Sequence, residues 1–206
     1  MEEFIKLANK IKDKKLREKV IDFIKDPSLT HEEFKKYGKT PVKKVRVLFS
    51  TPYGTALREV YTHTLALTNI CIKIVDEIKK FYGIELNLDY LIAASLLHDL
   101  MKIYEWKIEN GQPKHTGITL DHSFLAVAEL YKRDFPEGVI HIIASHFGES
   151  GPTPPRTPEA FLFHHLDSML SLFEAHLSPK NENLPVIVID EKLLNKLNEN
   201  SENESS

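Results

Sequence analysis

Only one cysteine, Cys71, stands among the 206 residues, so no intrachain disulfide can form and packing must hold the fold. A lone thiol suits a reducing cytoplasm. Cys71 follows Leu67 by one helical turn and reads as a small core hydrophobe rather than a nucleophile. No apolar run approaches the ~18 residues of a membrane span. The N-terminal stretch MEEFIKLANKIKDKK lacks the apolar core of a secretion signal. Positive charge is not in excess: the net charge of −3 excludes a global basic field for general nucleic-acid binding and leaves only local patches. Glutamine occurs once, at Gln112, against abundant Lys, Glu and Ile, a bias found in thermophile proteins. What remains is 42% apolar and 28% charged, the balance of a soluble globular protein long enough to bury a core.

The apolar spacing is mostly helical. Phe4, Leu7, Ile11, Leu16, Val20, Phe23 and Ile24 mark an amphipathic helix over 3–25, broken near Asp13 and stopped by Asp26-Pro27. Thr30 and Glu33 have capping-box spacing and open a short helix to Gly38. Residues 43–49 alternate in part, as a strand does, and 50–55 are turn-like. Long helices are expected over about 56–82 and 88–105. Asn110-Gly111 signals a turn in a small hairpin or flap over 106–120. Asp121 caps a helix to about 134, Pro136 opens one to about 147, and Thr157-Pro158 opens one to about 177. PVIVID at 185–190 reads as a short strand, and the tail NENSENESS as disordered. The expected fold is all-α, a helical bundle with at most a minor two-stranded β element. It divides into an N-terminal helical extension (1–55), the bundle (56–180) and a C-terminal extension (181–206).

Polar ligand-type residues recur inside apolar helix context. They are His63, the pair His98-Asp99 in LLHDLMK, His122 behind the Asp121 cap, His146 in IIASH, and Asp167 in FLFHHLDSML. A single histidine on an apolar face is more often a hydrogen-bonded core residue. Several together would be jointly expensive to bury without partners, and facing helices commonly build metal sites this way. Imidazole and carboxylate without thiolate suit Mn, Fe, Ni, Co or Zn. His115, in the flap, competes with His122 for a role. His141 lies about 140° around a helix from His146, so the two do not point at one ion. His164 shares the face of Asp167 and could at most orient a ligand.

The order His63, His98-Asp99, His122, His146, Asp167, with Lys102 after the pair, resembles the HD superfamily of metal-dependent phosphohydrolases over about residues 58–178. The stretch SHFGESGPTPPRTPEAFLFHHLD is similar to the catalytic domain of HD-type 3′–5′ exonucleases. The chain also looks similar to archaeal HD enzymes that open cyclic phosphates in pterin-cofactor synthesis. Met101 stands where the family usually has glycine before the lysine, and residues 1–55 are too short and too helical for the exonucleases' OB-fold.

The resemblance implies two cations. His63, His98, Asp99 and Asp167 would hold one; His122 and His146 would hold the other, with Asp99 bridging. It implies a phosphodiesterase cleaving a nucleotide-like, cyclic or oligonucleotide phosphate by metal-activated water, with Asp99 and Lys102 as catalytic residues. Lys102, Arg58 and Arg156 would contact phosphate. A one-metal nucleotidase and a non-catalytic ligand-binding module are the alternatives. The expected partner is a small phosphorylated substrate, with single-stranded nucleic acid as a further candidate and no membrane. The basic run KKYGKTPVKKVR (35–46) would favour a polyanion if it lay beside the cleft. The apolar face of the first helix could cover its own bundle or another copy of the chain.

Overall fold

The N-terminal helical pattern breaks where its apolar spacing breaks. In the computed structural model, which describes residues 1–51 and 54–177, α1 (Glu2–Ala8) stops and α2 (Lys14–Lys25) restarts behind Asp13. The Asp13 carboxylate caps α2, accepting from the Leu16 N–H at 3.0 Å. The linker is pinned from outside: the N–H groups of Lys12 and Asp13 donate to the Asp89 carboxylate at 2.9 and 2.8 Å. Phe4, Leu7, Leu16, Val20 and Phe23 are buried, and α1 packs on α3 (Val60–Tyr82) and α4 (Leu88–Leu97) of its own chain.

Two local expectations are corrected. The capping box at Thr30 and Glu33 does not form. Thr30 instead gives its N–H and hydroxyl to Glu129 at 2.6 and 3.0 Å, and only a 3-10 turn, Glu32–Phe34, follows. Nor does a helix begin near 56. Residues 54–59 pair with the expected strand, so β1 (Arg46–Thr51) and β2 (Gly54–Glu59) form an antiparallel hairpin ahead of α3. Cross-strand pairing overrides the helical propensity of Ala-Leu-Arg-Glu. Residues opposite one another share a face, so Val47, Phe49, Ala56 and Arg58 line one side. Leu48 and Leu57 lie on the other and are exposed.

α4 is wrapped on all sides; every residue from Leu91 to Leu97 is buried. The helix expected to continue to 105 is interrupted. From Leu100 to Tyr104 the backbone tightens to i→i−3 hydrogen bonds, leaving a turn at 98–101 before α5 (Lys102–Glu105). β3 (Trp106–Glu109) and β4 (Gln112–His115) form the expected hairpin, with Asn110 and Gly111 both at positive φ in its turn. α6 (His122–Lys132), α7 (Glu137–Ala144) and α8 (Pro158–Leu177) complete the bundle, α8 capped by Thr157 Oγ1 accepting from the Ala160 N–H at 3.2 Å. α3, α7 and α8 pack around α4, and among the described residues the architecture is all-α with two small two-stranded sheets. Among the described residues no helix is long and apolar enough to cross a membrane. The strand expected at 185–190 and the tail lie outside the described residues.

Candidate metal centre

Four helix ends and turns, with the middle of α8, deliver the six ligand-type side chains to one place. His63 comes from the first turn of α3, His98 and Asp99 from the turn after α4, and His122 from the first position of α6. His146 lies just past α7, and Asp167 in the middle of α8. None is more than 8% exposed. Asp99 belongs to two groups whose ligand atoms lie within 4.8 Å of one another: His63, His98 and Asp99, and Asp99, His122 and His146. Each group could hold a cation.

The imidazoles are oriented from behind. His98 Nδ1–H donates to the Ser95 carbonyl at 3.0 Å, and His146 Nδ1–H to the Ile143 carbonyl at 2.7 Å. His122 Nδ1 lies 3.0 Å from the Glu105 carboxylate. With the proton fixed at Nδ1, the lone pair is at Nε2. The Nε2 atoms of His98 and His122 are buried and have no hydrogen-bond partner, an arrangement suited to metal ligation. Burial pushes His98 down to about 4 and His146 down to about 3, so both are neutral near pH 7. His63 differs. Its Nε2 is 2.9 Å from Asp167 Oδ1 and its Nδ1 2.8 Å from Glu174 Oε1. Burial alone would lower its pKa, but the two carboxylates outweigh it and raise it.

Negative charge is held at the centre. Burial opposes ionisation of Asp99, yet His98, Lys102 and His122 hold its carboxyl well below the usual range. Asp167 is lowered likewise, against burial, by the hydrogen bond from His63 and neighbouring positive charge. Lys102 Nζ sits 2.8 Å from Asp99 Oδ1 and is buried, so it is not an ordinary solvated lysine. Arg58 is also buried, 3.7 Å from Asp99 and 2.8 Å from Glu174, and it donates to the Ser171 hydroxyl. These groups open onto a cavity of 490 Å³ lined by Arg58, Asp99, Lys102, His146 and Asp167 and by the apolar side chains of Val47, Phe49, Phe147 and Leu172.

Other expected residues lie elsewhere. Arg156 does not line the cavity; it is exposed, and its backbone N–H donates to His141 Nε2 at 3.0 Å. The lysines of 35–46 are turned outward, Lys39 pairing with Asp26 at 3.2 Å. His115 is half exposed in the hairpin, 3.9 Å from Glu105, so His122 is the imidazole beside Asp99. His164 donates from Nδ1 to the His146 carbonyl at 2.7 Å. Glu105 and Glu174 were not legible beforehand. Glu174 lies seven residues after Asp167 on one helix face, a signal that could have found it. Glu105 lies beyond a chain turn and had none.

The HD domain family model matches residues 60–172. Dihydroneopterin 2',3'-cyclic phosphate phosphodiesterase of Methanocaldococcus jannaschii is 45% identical over 170 residues, covering 81% of this chain and 67% of that protein. No solved structure matches the chain.

Proposed function

The chain belongs to the HD domain family, and from that premise we propose that it is a two-metal phosphodiesterase opening a cyclic phosphate on a small nucleotide-like substrate. The observation that carries this reading is Asp99, shared between two imidazole groups, with the Nε2 atoms of His98 and His122 buried and unpartnered. His63, His98, Asp99 and Asp167 would hold one cation, and Asp99, His122 and His146 the other. The donor set suits Mn, Fe, Ni, Co or Zn. When bound, such ions supply Lewis-acid polarisation of the phosphoryl group and a more acidic water.

The chain's own residues supply the rest. The carbonyls of Ser95 and Ile143 and the carboxylate of Glu105 hold three imidazoles in one tautomer and one orientation. Lys102 and Arg58 are already fixed beside Asp99, so their charges need no further ordering to meet phosphate oxygens in the cavity. A cytoplasmic setting fits this reading, given the single buried thiol.

The test uses purified protein with Mn²⁺ or Fe²⁺ and dihydroneopterin 2′,3′-cyclic phosphate, the named substrate of the M. jannaschii relative. Ring opening to a monoester, reduced to background in Asp99→Ala, is expected. Release of inorganic phosphate from nucleoside monophosphates, with no cleavage of any cyclic diester, would instead identify a one-metal nucleotidase. Silence on both substrate classes would sink the enzyme reading.

A further inference from the structure

Beside its charged groups the cavity is lined by the aromatic and apolar side chains Val47, Phe49, Phe147 and Leu172, and hydrolysis of a phosphate ester needs nothing from them. We propose that Phe49 and Phe147 form a stacking subsite for a planar heterocycle carried by the substrate, and that this subsite selects ring-bearing cyclic phosphates over ring-less ones. The inference rests on the phosphodiesterase reading and adds what grips the part of the substrate that does not react.

Phe147 directly follows His146, and the two rings lie 4.2 Å apart with an interplanar angle of 33°. It is 41% exposed, so its ring is spread along the cavity wall rather than sunk in the core. Exposed aromatic rings occur elsewhere on the surface and need no explanation singly. Phe147 differs in being held in place beside the candidate metal ligands. The chain turns at Gly148 with φ +61, where a side chain would strike His164, and the same His164 donates to the His146 carbonyl. The backbone that carries the ring is thereby constrained, and a pre-shaped wall lowers the cost of binding.

Phe49 lines the same cavity from β1. Strand alternation puts it on the same face of the hairpin as Arg58, whose guanidinium carbon lies 4.6 Å from its ring centre. Arg58 is itself anchored by Glu174, so the ring is fixed through an ion pair. A single imidazole, His146, links the two kinds of lining: its ligand atom lies within 4.8 Å of that of Asp99, and its ring 4.2 Å from that of Phe147. A phosphate beside Asp99 and a heterocycle beside Phe147 thus fall within one small molecule. The volume of 490 Å³ lies in the ~300–1,000 Å³ range of small-molecule sites. Among the described residues the lining offers hydroxyls such as Ser50 and Ser150 and no side-chain amide. Recognition by stacking tolerates different rings, since each has a π-face. Pterin and purine should both be accepted.

The experiment compares wild type with Phe147→Leu, Phe147→Trp and Phe49→Leu, after circular dichroism has confirmed folding. The kcat/KM ratio of dihydroneopterin 2′,3′-cyclic phosphate to glycerol 1,2-cyclic phosphate is measured. Phe147→Leu and Phe49→Leu should lower that ratio about tenfold to a hundredfold, mainly through KM of the ring-bearing substrate, and Phe147→Trp should keep it. Separately, chelator-treated protein is titrated into dihydroneopterin and into guanosine, following fluorescence or dialysis. Wild type should bind both, and the leucine variants about tenfold or more weakly. An unchanged ratio, or no binding of either compound by wild type, overturns the subsite. If wild type binds the rings but cleaves no cyclic phosphate, the phosphodiesterase reading fails while the subsite stands. If Phe147→Leu does not fold, Phe147→Trp and Phe49→Leu decide.

Discussion

At the scale of single residues, the protein spends acceptors on the far side of each imidazole. The Ser95 and Ile143 carbonyls lie in the last turns of α4 and α7, where helix geometry leaves carbonyls without full intrahelical partners. Glu105 is different: it is a buried carboxylate spent on His122, held below the usual range, against burial, mainly by its bond to His122. Replacing Glu105 by Gln should weaken divalent-metal binding about 10- to 100-fold, read by calorimetric titration with Mn²⁺. Unchanged affinity would remove Glu105 from the site. Cys71 provides a check on the core beneath. Burial, with the Asp167 charge, pushes its thiol up to about 12, so almost no thiolate exists at pH 8. A thiol-specific disulfide reagent at pH 8 should leave Cys71 unlabelled in the folded protein and label it fully in guanidinium. Rapid labelling of the folded protein would mean that the core opens.

At the scale of elements, the turns after α4 and α7 and the β1–β2 hairpin bring most of the charged groups to the cavity, and α8 adds Asp167. The Gly148 turn has little freedom. An added Cβ there would lie 2.3 Å from His164 Nε2, in a backbone region that side chains rarely adopt. Gly148→Ala should therefore cost about 1–3 kcal/mol in urea denaturation and lower activity further by displacing the neighbouring His146. Stability within error of wild type would show that the turn has slack. The hairpin reaches the site through Arg58, since β2 lies against α8 and places the guanidinium between Glu174 and Asp99.

At the scale of the molecule, one continuous core runs from Phe4 in α1 to Leu170 in α8, so the candidate metal centre sits inside the structure that the N-terminal helices help to close. A cation bound there would act on the whole fold. Metal at a hundredfold excess over its Kd stabilises by about 2.7 kcal/mol. For a chain of this size that is a Tm shift of about 5–10 °C. Chelator should lower Tm by that amount, Mn²⁺ should restore it, and Asp99→Ala should respond to neither. A wild-type Tm indifferent to chelator would argue against tight resident metal.

Much of this was written in local pattern. Helix-period apolar residues, with polar ligand types set among them, announced the bundle and the six side chains that meet at its centre, because amphipathicity and the cost of burying imidazole are properties of short stretches. The Asn110-Gly111 turn and the Thr157 cap were legible for the same reason. What lay between distant residues was not. β2 exists because it pairs with β1, Thr30 abandons its capping box because Glu129 from α6 reaches it first, and Arg156 faces solvent although the chain places it next to α8. Glu105 and Glu174 acquire partners only when α6 and α3 arrive beside them. Sequence by itself determined which residues had to be buried and in what period. The tertiary structure alone decided which buried groups face one another, since hydrogen bonds and charge pairs fall off within a few ångströms and chain distance says nothing about them.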